Sequence, residues 1–409
     1  MEVVMKYTDN VFLRILKAAL EGERLAEAGE MSPEQWNEIF RMADAHKVLP
    51  LVYQAAYTLM DPDDAARIRS RVRKTVMLQT LKTHEFLLLN ENLREAGCEP
   101  IVVKGLVCRN LYPQPDLRPS SDEDILIPEA QFADCCRVLR EFGMDTDVPE
   151  EKWTETFEVP FRKKDSPLFL EVHKSLFAPN SEAYGHWNRF FDGARERAIR
   201  DGDVLTLSET DHLFYLLCHA FKHFIHSGFG IRQVCDIVLY VNKKGQAVDW
   251  KQVYDNCCKI RAEYFAAALF RIGESYLGFD PVKAGYPDFW QELPAEETDM
   301  LMDLLSAGVY GSATKSRVHS SNLTLDAVSA DRQGRRGKGL KTSLFPSARD
   351  LAGRYPYLEK RPWLLPVAWT GRILSYLKET GNTRDNSAAQ SLQIGRERIE
   401  LLRKYRVIR

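Results

Sequence analysis

The chain has 409 residues, enough for two or three domains with a sizeable buried core, which excludes a peptide or a purely disordered protein. With 44% hydrophobic and 28% charged residues, and 20 Phe, 16 Tyr and 7 Trp to pack, the composition is that of a folded, soluble globular chain. Lys and Arg number 56 against 58 Asp and Glu, so a net charge of −2 supplies no general field for nucleic acid or an anionic membrane, and neither is an expected partner.

The first residues, MEVVMKYTDNVFLRIL, lack the unbroken apolar region of a signal peptide. No stretch reaches the roughly 18 apolar residues of a spanning helix. From Asn10 to Ala96 the pattern is helical: Phe12, Ile15, Leu16, Ala19 and Leu20 recur at three and four, Ser32-Pro33-Glu34 is a helix start, and Gly97 suits a C-cap. Residues 1–96 are therefore an N-terminal helical segment. Between 97 and 207 short strand signals at Ile101 to Val103, Asp124 to Ile127 and Leu168 to Val172 alternate with helices. This is a small α/β or α+β unit. After Ser208, where Glu209-Thr210-Asp211 suits a helix start, residues 208–310 read as a C-terminal helical domain. Residues 311–347, rich in Ser, Gly and Arg, read as a long loop in which Asp331 to Lys338 is a solvated, mobile stretch. Helical pieces at Trp363 to Thr380 and Ala388 to Tyr405 complete a tail over 311–409. The fold class is α+β, a small mixed sheet with flanking helices between helical segments. Eight cysteines contain no CxxC and two adjacent pairs, Cys135-Cys136 and Cys257-Cys258, which points to reduced thiols in the cytoplasm.

The residues that carry chemistry begin at Val103-Lys104-Gly105-Leu106, where a strand ends and a helix starts. Glycine permits close approach of a ligand, the helix start offers free N–H groups to a phosphate, and Lys104 adds a point charge. In the next strand, alternation puts Asp122 and Asp124 on one face while Ile125 and Ile127 face the packed side. Adjacent carboxylates make sense when a divalent cation neutralises them, and all-oxygen ligation beside phosphate points to Mg²⁺ or Mn²⁺. An exposed acidic turn is the plainer alternative. A third acid lies in Leu168-Phe169-Leu170-Glu171-Val172-His173, where Phe169, Glu171 and His173 share a face. For Glu171 the plainer reading is an exposed strand residue, and for His173 a hydrogen-bonded core imidazole.

His212, His219, His223 and His226 all fall in one predicted helix, within about 60° of arc. His219 and His223 form an i, i+4 pair, yet no Glu follows His219 as the HExxH motif of a zinc hydrolase requires. A zinc-dependent hydrolase using His219 and His223 is therefore the minor reading, beside a buried helix with satisfied imidazoles and an active-site wall. Arg232 and Asp236, four apart, read as a structural pair.

Together these residues resemble the uncharacterised bacterial nucleotidyltransferase-like proteins of the polymerase-β-type superfamily. The resemblance runs through Ala96-Gly97, Ile101 to Gly105, Leu111-Tyr112-Pro113, Arg118, Asp122 to Ile127 and Glu171-Val172-His173. It continues at His219 to His223, Arg232, Asp236, Asp249-Trp250, Phe345-Pro346-Ser347 and Leu365 to Trp369. Three departures are that Lys104-Gly105 replaces the usual Gly-Ser pair, that the sixteen residues between Gly105 and Asp122 are more than usual, and that Glu123 stands where an apolar residue is usual. The resemblance implies a nucleotidyltransferase core at 97–207 and transfer of a nucleoside monophosphate from an NTP to an acceptor hydroxyl on a small molecule or protein. Asp122, Asp124 and Glu171 are then the metal ligands, with Glu171 the ligand or base. Lys104, Gly105, Arg118, His173, His219, Lys222 and His223 are then the nucleotide-binding residues. A catalytically silent member of the fold, binding a nucleotide or a protein partner, is the alternative.

Overall fold

The computed structural model describes residues 5–226, 228–307, 315–332, 355, 357–371 and 388–409. The three-and-four spacing seen near the N-terminus produces helix α1 (Tyr7–Glu21), which buries Val11, Phe12, Ile15, Leu16 and Leu20 and stops at Gly22 in the left-handed conformation. Helix α2 (Pro33–Ala45) opens with a capping box in which Ser32 Oγ accepts the Gln35 N–H at 3.3 Å and Gln35 Oε1 accepts the Ser32 N–H at 2.8 Å. Helix α3 (Leu49–Ala56) follows, then α4 (Pro62–Glu95), 34 residues long and begun by Asp61. Gly97, at φ 78°, then turns the chain into the sheet.

The sheet takes its strands from β1 (Ile101–Val103), β2 (Glu123–Leu126), β3 (Met144–Asp145), β4 (Glu158–Lys163), β5 (Phe169–His173), β6 (Ile199–Asp201) and β7 (Val204–Thr206). Helices α5 (Gly105–Arg109) and α6 (Phe132–Glu141) interrupt the series. Among the described residues the strand order is β3-β4-β5-β2-β1-β7-β6. The sheet is mixed, because β2 runs parallel to β5 and β1 parallel to β7 while the other neighbours are antiparallel. Alternation along the strands sorts the two faces. Val102, Ile125, Val159, Phe161, Leu170 and Val172 turn to a core closed by Phe86, Leu89 and Leu93 of α4 and by α6. The opposite face carries the polar residues, since Asp124 is the register partner of both Val103 and Glu171, and His173 that of Leu126 and Glu158. The α+β class expected from the sequence is the class observed.

Beyond the sheet the chain is helical, through α7 (Glu209–His226), α8 (Ile231–Lys244), α9 (Trp250–Ile260) and α10 (Glu263–Tyr276). Met1–Phe221 and Phe229–Val309 form one compact unit, and Lys222–Gly228 with Tyr310–Arg409 form another. In the second unit, Lys315–Arg332 is a helix where a loop is expected. It packs on the helix Ala388–Lys404, with Leu323 so close to Gly395 that an added Cβ would lie 2.5 Å from Leu323 Cδ1. A Ser-rich sequence signals such a helix poorly, since burial of Leu323 and Val328, rather than propensity, supports it. Residues 333–338, 345–347 and 372–380 of the expected loop and tail lie outside the described residues. Among the described residues no helix is long and apolar enough to cross a membrane.

Candidate active site

The site grows from the edge where β1 ends. Lys104 takes φ 57° and ψ −116°, a backbone conformation that an L side chain disfavours, and so turns the strand into α5 within one residue. The Lys104 N–H donates to His212 Nε2 at 3.3 Å. His212 must then carry its proton on Nδ1, which faces Thr206 Oγ1 at 3.3 Å, and Thr206 in turn donates to the Val102 carbonyl at 2.6 Å. Burial holds the His212 imidazole down at about 4, consistent with this neutral, accepting role.

The turn sends the Lys104 side chain to the polar face of the sheet. Its Nζ lies 2.8 Å from Asp124 Oδ2 and 3.4 Å from His219 Nε2. His219 is held from behind, its Nδ1 facing the side-chain amide of Gln233 at 3.2 Å. Parallel pairing of β2 with β5 then sets Glu171 beside Asp124, and His173 one pleat further along. His173 Nε2 is 3.3 Å from Asp124 Oδ1 and 3.7 Å from Glu171 Oε2, and its Nδ1 is 3.4 Å from Glu158 Oε2. Burial opposes the imidazolium, but Asp124, Glu171 and Glu158 outweigh it and lift His173 to about 9. Burial would also raise Asp124, yet Lys104 and His173 hold its carboxyl well below the ordinary range. Lys104 is likewise pushed down by burial and pulled well above its usual value by Asp124 and then Asp122.

Among the described residues, the group that could hold a metal ion is Asp124, Glu171 and His173, whose candidate ligand atoms lie within 4.8 Å of one another. Its donor set is two carboxylates and an imidazole rather than the oxygen-only set expected. It includes neither His219 nor His223. Asp122 stands just ahead of β2, half-buried, and accepts a hydrogen bond from the Ser121 hydroxyl at 3.1 Å. It ends the turn that precedes β2. That turn is tied to α4, where Gln79 Oε1 accepts the Ser120 N–H at 2.8 Å and Lys82 Nζ donates to the Ser120 and Ser121 carbonyls at 2.6 and 2.9 Å.

Three expectations are revised by these contacts. Arg118 is buried, and its Nε and Nη2 both donate to Asp236, at 3.0 and 2.6 Å, while the Tyr112 hydroxyl adds a third bond at 2.8 Å. Such a forked, buried pair joins the β1–β2 connection to α8, so Arg118 is structural where phosphate binding is expected. The partner of Asp236 is accordingly Arg118 rather than Arg232, which donates instead to the Pro119 carbonyl. Gly105 is needed because the Glu123 carboxylate fills the space a side chain would use, an added Cβ meeting Glu123 Oε2 at 2.1 Å. Glu123 itself, odd for a strand interior, is fully buried against Arg109 at 2.8 Å on the core side.

Lys222 and His223 continue α7 into the second unit, which begins at Lys222. Lys82, Gln79 and Gln233 act on the site without any motif to mark them. They lie on helices far away in the chain, and only their hydrogen bonds reveal them.

Residues 32–278 match the family described as "Uncharacterised nucleotidyltransferase". No curated protein and no solved structure matches the chain. The family match covers more than half of the sequence and contains the whole cluster of Lys104, Asp124, Glu171 and His173, so the chain belongs to the uncharacterised nucleotidyltransferase family.

Proposed function

We propose that the chain is a divalent-metal-dependent nucleotidyltransferase of the polymerase-β type, moving a nucleoside monophosphate from an NTP to an acceptor hydroxyl. The observation that carries this reading is the in-register placement of Asp124 and Glu171 on parallel strands with the Lys104 ammonium 2.8 Å from Asp124. The donor set fits a cation: Asp124 Oδ2 is buried with no hydrogen-bond partner beyond its ion pair, and Glu171 is partly open to solvent. Asp124, Glu171 and His173 would hold the ion, with Asp122 at the mouth of β2, and the imidazole tilts the preference from Mg²⁺ toward Mn²⁺. When bound, the ion supplies Lewis acidity at the phosphoryl oxygens.

The chain's own groups supply the rest. Lys104, with His219 beside its ammonium, balances the phosphate charge as the acceptor oxygen attacks the α-phosphorus and the bond to the leaving pyrophosphate breaks. Glu171, the most exposed of the three ligands, takes the proton of the acceptor hydroxyl. Calorimetric titration of each NTP with and without Mg²⁺ or Mn²⁺ tests this reading. Cation-dependent binding with pyrophosphate release, lost in Asp124→Asn and Glu171→Gln, is the expected result.

A second reading, a silent nucleotide binder, draws on the same contacts. Lys104 and the His173 imidazolium already offset Asp124 without any cation. NTP affinity that is equal with and without the metals, in the wild type and in both variants, selects this reading over the enzyme.

A further inference from the structure

We propose that the groove between α3 and α4 is a binding site for a small amphipathic acid, an apolar body bearing one carboxylate or phosphate. The groove is a cavity of about 550 Å³, within the roughly 300–1,000 Å³ usual for small-ligand sites. Its floor is apolar, made by Val72, Val76 and Met77 of α4 and Leu117 of the turn Pro115–Leu117. Met77 is 64% exposed, an apolar surface that nothing in the first unit covers. Such a surface beside a cavity is where a ligand's apolar part gains most.

The rim is cationic. Arg69 donates from Nε to the Tyr53 hydroxyl at 3.2 Å, which leaves its charge without a counterion, and Arg73 has no ion-pair partner among the described residues. The Arg24 guanidinium lies 4.7 Å above the Tyr57 ring, and a smaller cavity of about 200 Å³ beside it shares Gln54 and Leu117 with the groove. The charged residues that line the groove, Arg69 and Arg73, are both cationic, and nearby acids are engaged elsewhere, Asp64 of α4 with Arg67 and Asp44 of α2 with Arg71. A net positive rim therefore stands over an apolar floor. A neutral apolar ligand would leave Arg73 unmatched, and a bare anion would leave Met77 in water. An amphipathic acid satisfies both, its acid group on Arg69 and Arg73 and its body on Met77 and Leu117. The site is also built into the turn that leads to the carboxylates, since Thr80 Oγ1 donates to Asp116 Oδ2 at 2.6 Å and Leu117 precedes Asp122 by five residues.

The inference does not depend on nucleotidyl transfer, and its test uses neither metal nor NTP. The full chain is titrated calorimetrically in EDTA with naphthoate, naphthyl phosphate, naphthalenemethanol and inorganic phosphate. The two aromatic acids should bind at least about tenfold more tightly than the alcohol or bare phosphate, and their order tells carboxylate from phosphate recognition. Arg73→Glu, a change at an exposed residue, should weaken both acids about ten- to a hundredfold with the melting temperature unchanged, and Met77→Ser should weaken them as well. Asp124→Asn should leave their binding as it is. The proposal is overturned if the acids bind no better than the alcohol and phosphate, if both groove variants retain full affinity, or if Asp124→Asn abolishes binding.

Discussion

At Lys104 a lysine occupies a backbone conformation that glycine normally supplies, and the neighbouring Gly105 is required for a different reason. The two positions carry separable predictions. Lys104 and Asp124 are both largely buried, so removing either partner strands the other's charge. Lys104→Ala is expected to cost about 3 kcal/mol of stability, and in a double-mutant cycle with Asp124→Asn the coupling should reach about 1–3 kcal/mol in urea unfolding. Additive single effects would mean that the pair is not formed in solution. The same variant should weaken NTP binding about ten- to a hundredfold while sparing the bare nucleoside. Gly105→Ala drives a methyl group into the Glu123 carboxylate, which Arg109 pins in place. It should lower stability by about 1–3 kcal/mol, read as a lower melting temperature, and Glu123→Ala should relieve the clash in the double variant.

Helix α7 supports the site through His212, an imidazole that acts as an acceptor, and the same device recurs where His46 accepts the Ile231 N–H on Nδ1 at 3.2 Å and donates from Nε2 to the Leu305 carbonyl at 3.2 Å. Burial lowers both His46 and His212 to about 4, while an unfolded imidazole titrates near 6.5. Protons therefore prefer the unfolded chain. The stabilisation is complete above the unfolded value and is lost as pH falls from 6.5 toward 4, amounting to about 2 kcal/mol per histidine by pH 5. Urea midpoints measured at pH 7 and pH 5 should fall steeply for the wild type and less steeply for His212→Gln. An identical slope in that variant would remove His212 from the account. Helix α4 plays the complementary part, because Gln79 and Lys82 hold the turn that delivers Asp122.

Across the whole molecule the eight cysteines behave as core residues. All are free thiols, seven are buried and Cys258 is half-buried. Burial lifts the thiols, Cys136 to about 12, so they are inert as nucleophiles. Ellman's reagent should titrate about one thiol in the native protein and all eight after denaturation in guanidinium. Fast reaction of three or more native thiols would contradict this burial.

What the sequence determined by itself is whatever depends on neighbours along the chain. The helix start at Ser32, the strand-to-helix change at Lys104-Gly105, and the alternation that puts Asp124 on one face and Ile125 on the other are local, and they were legible. The α+β class followed from them. Pairings between distant segments were not legible. Glu171 meets Asp124 because β5 lies parallel to β2 in one register, and Arg118 meets Asp236 across 118 residues. His173 stands with the carboxylates, and Arg118 is bound to Asp236, for the same physical reason. A charged side chain's role is settled by the counter-charge that burial forces upon it, and only the tertiary structure decides which one that is.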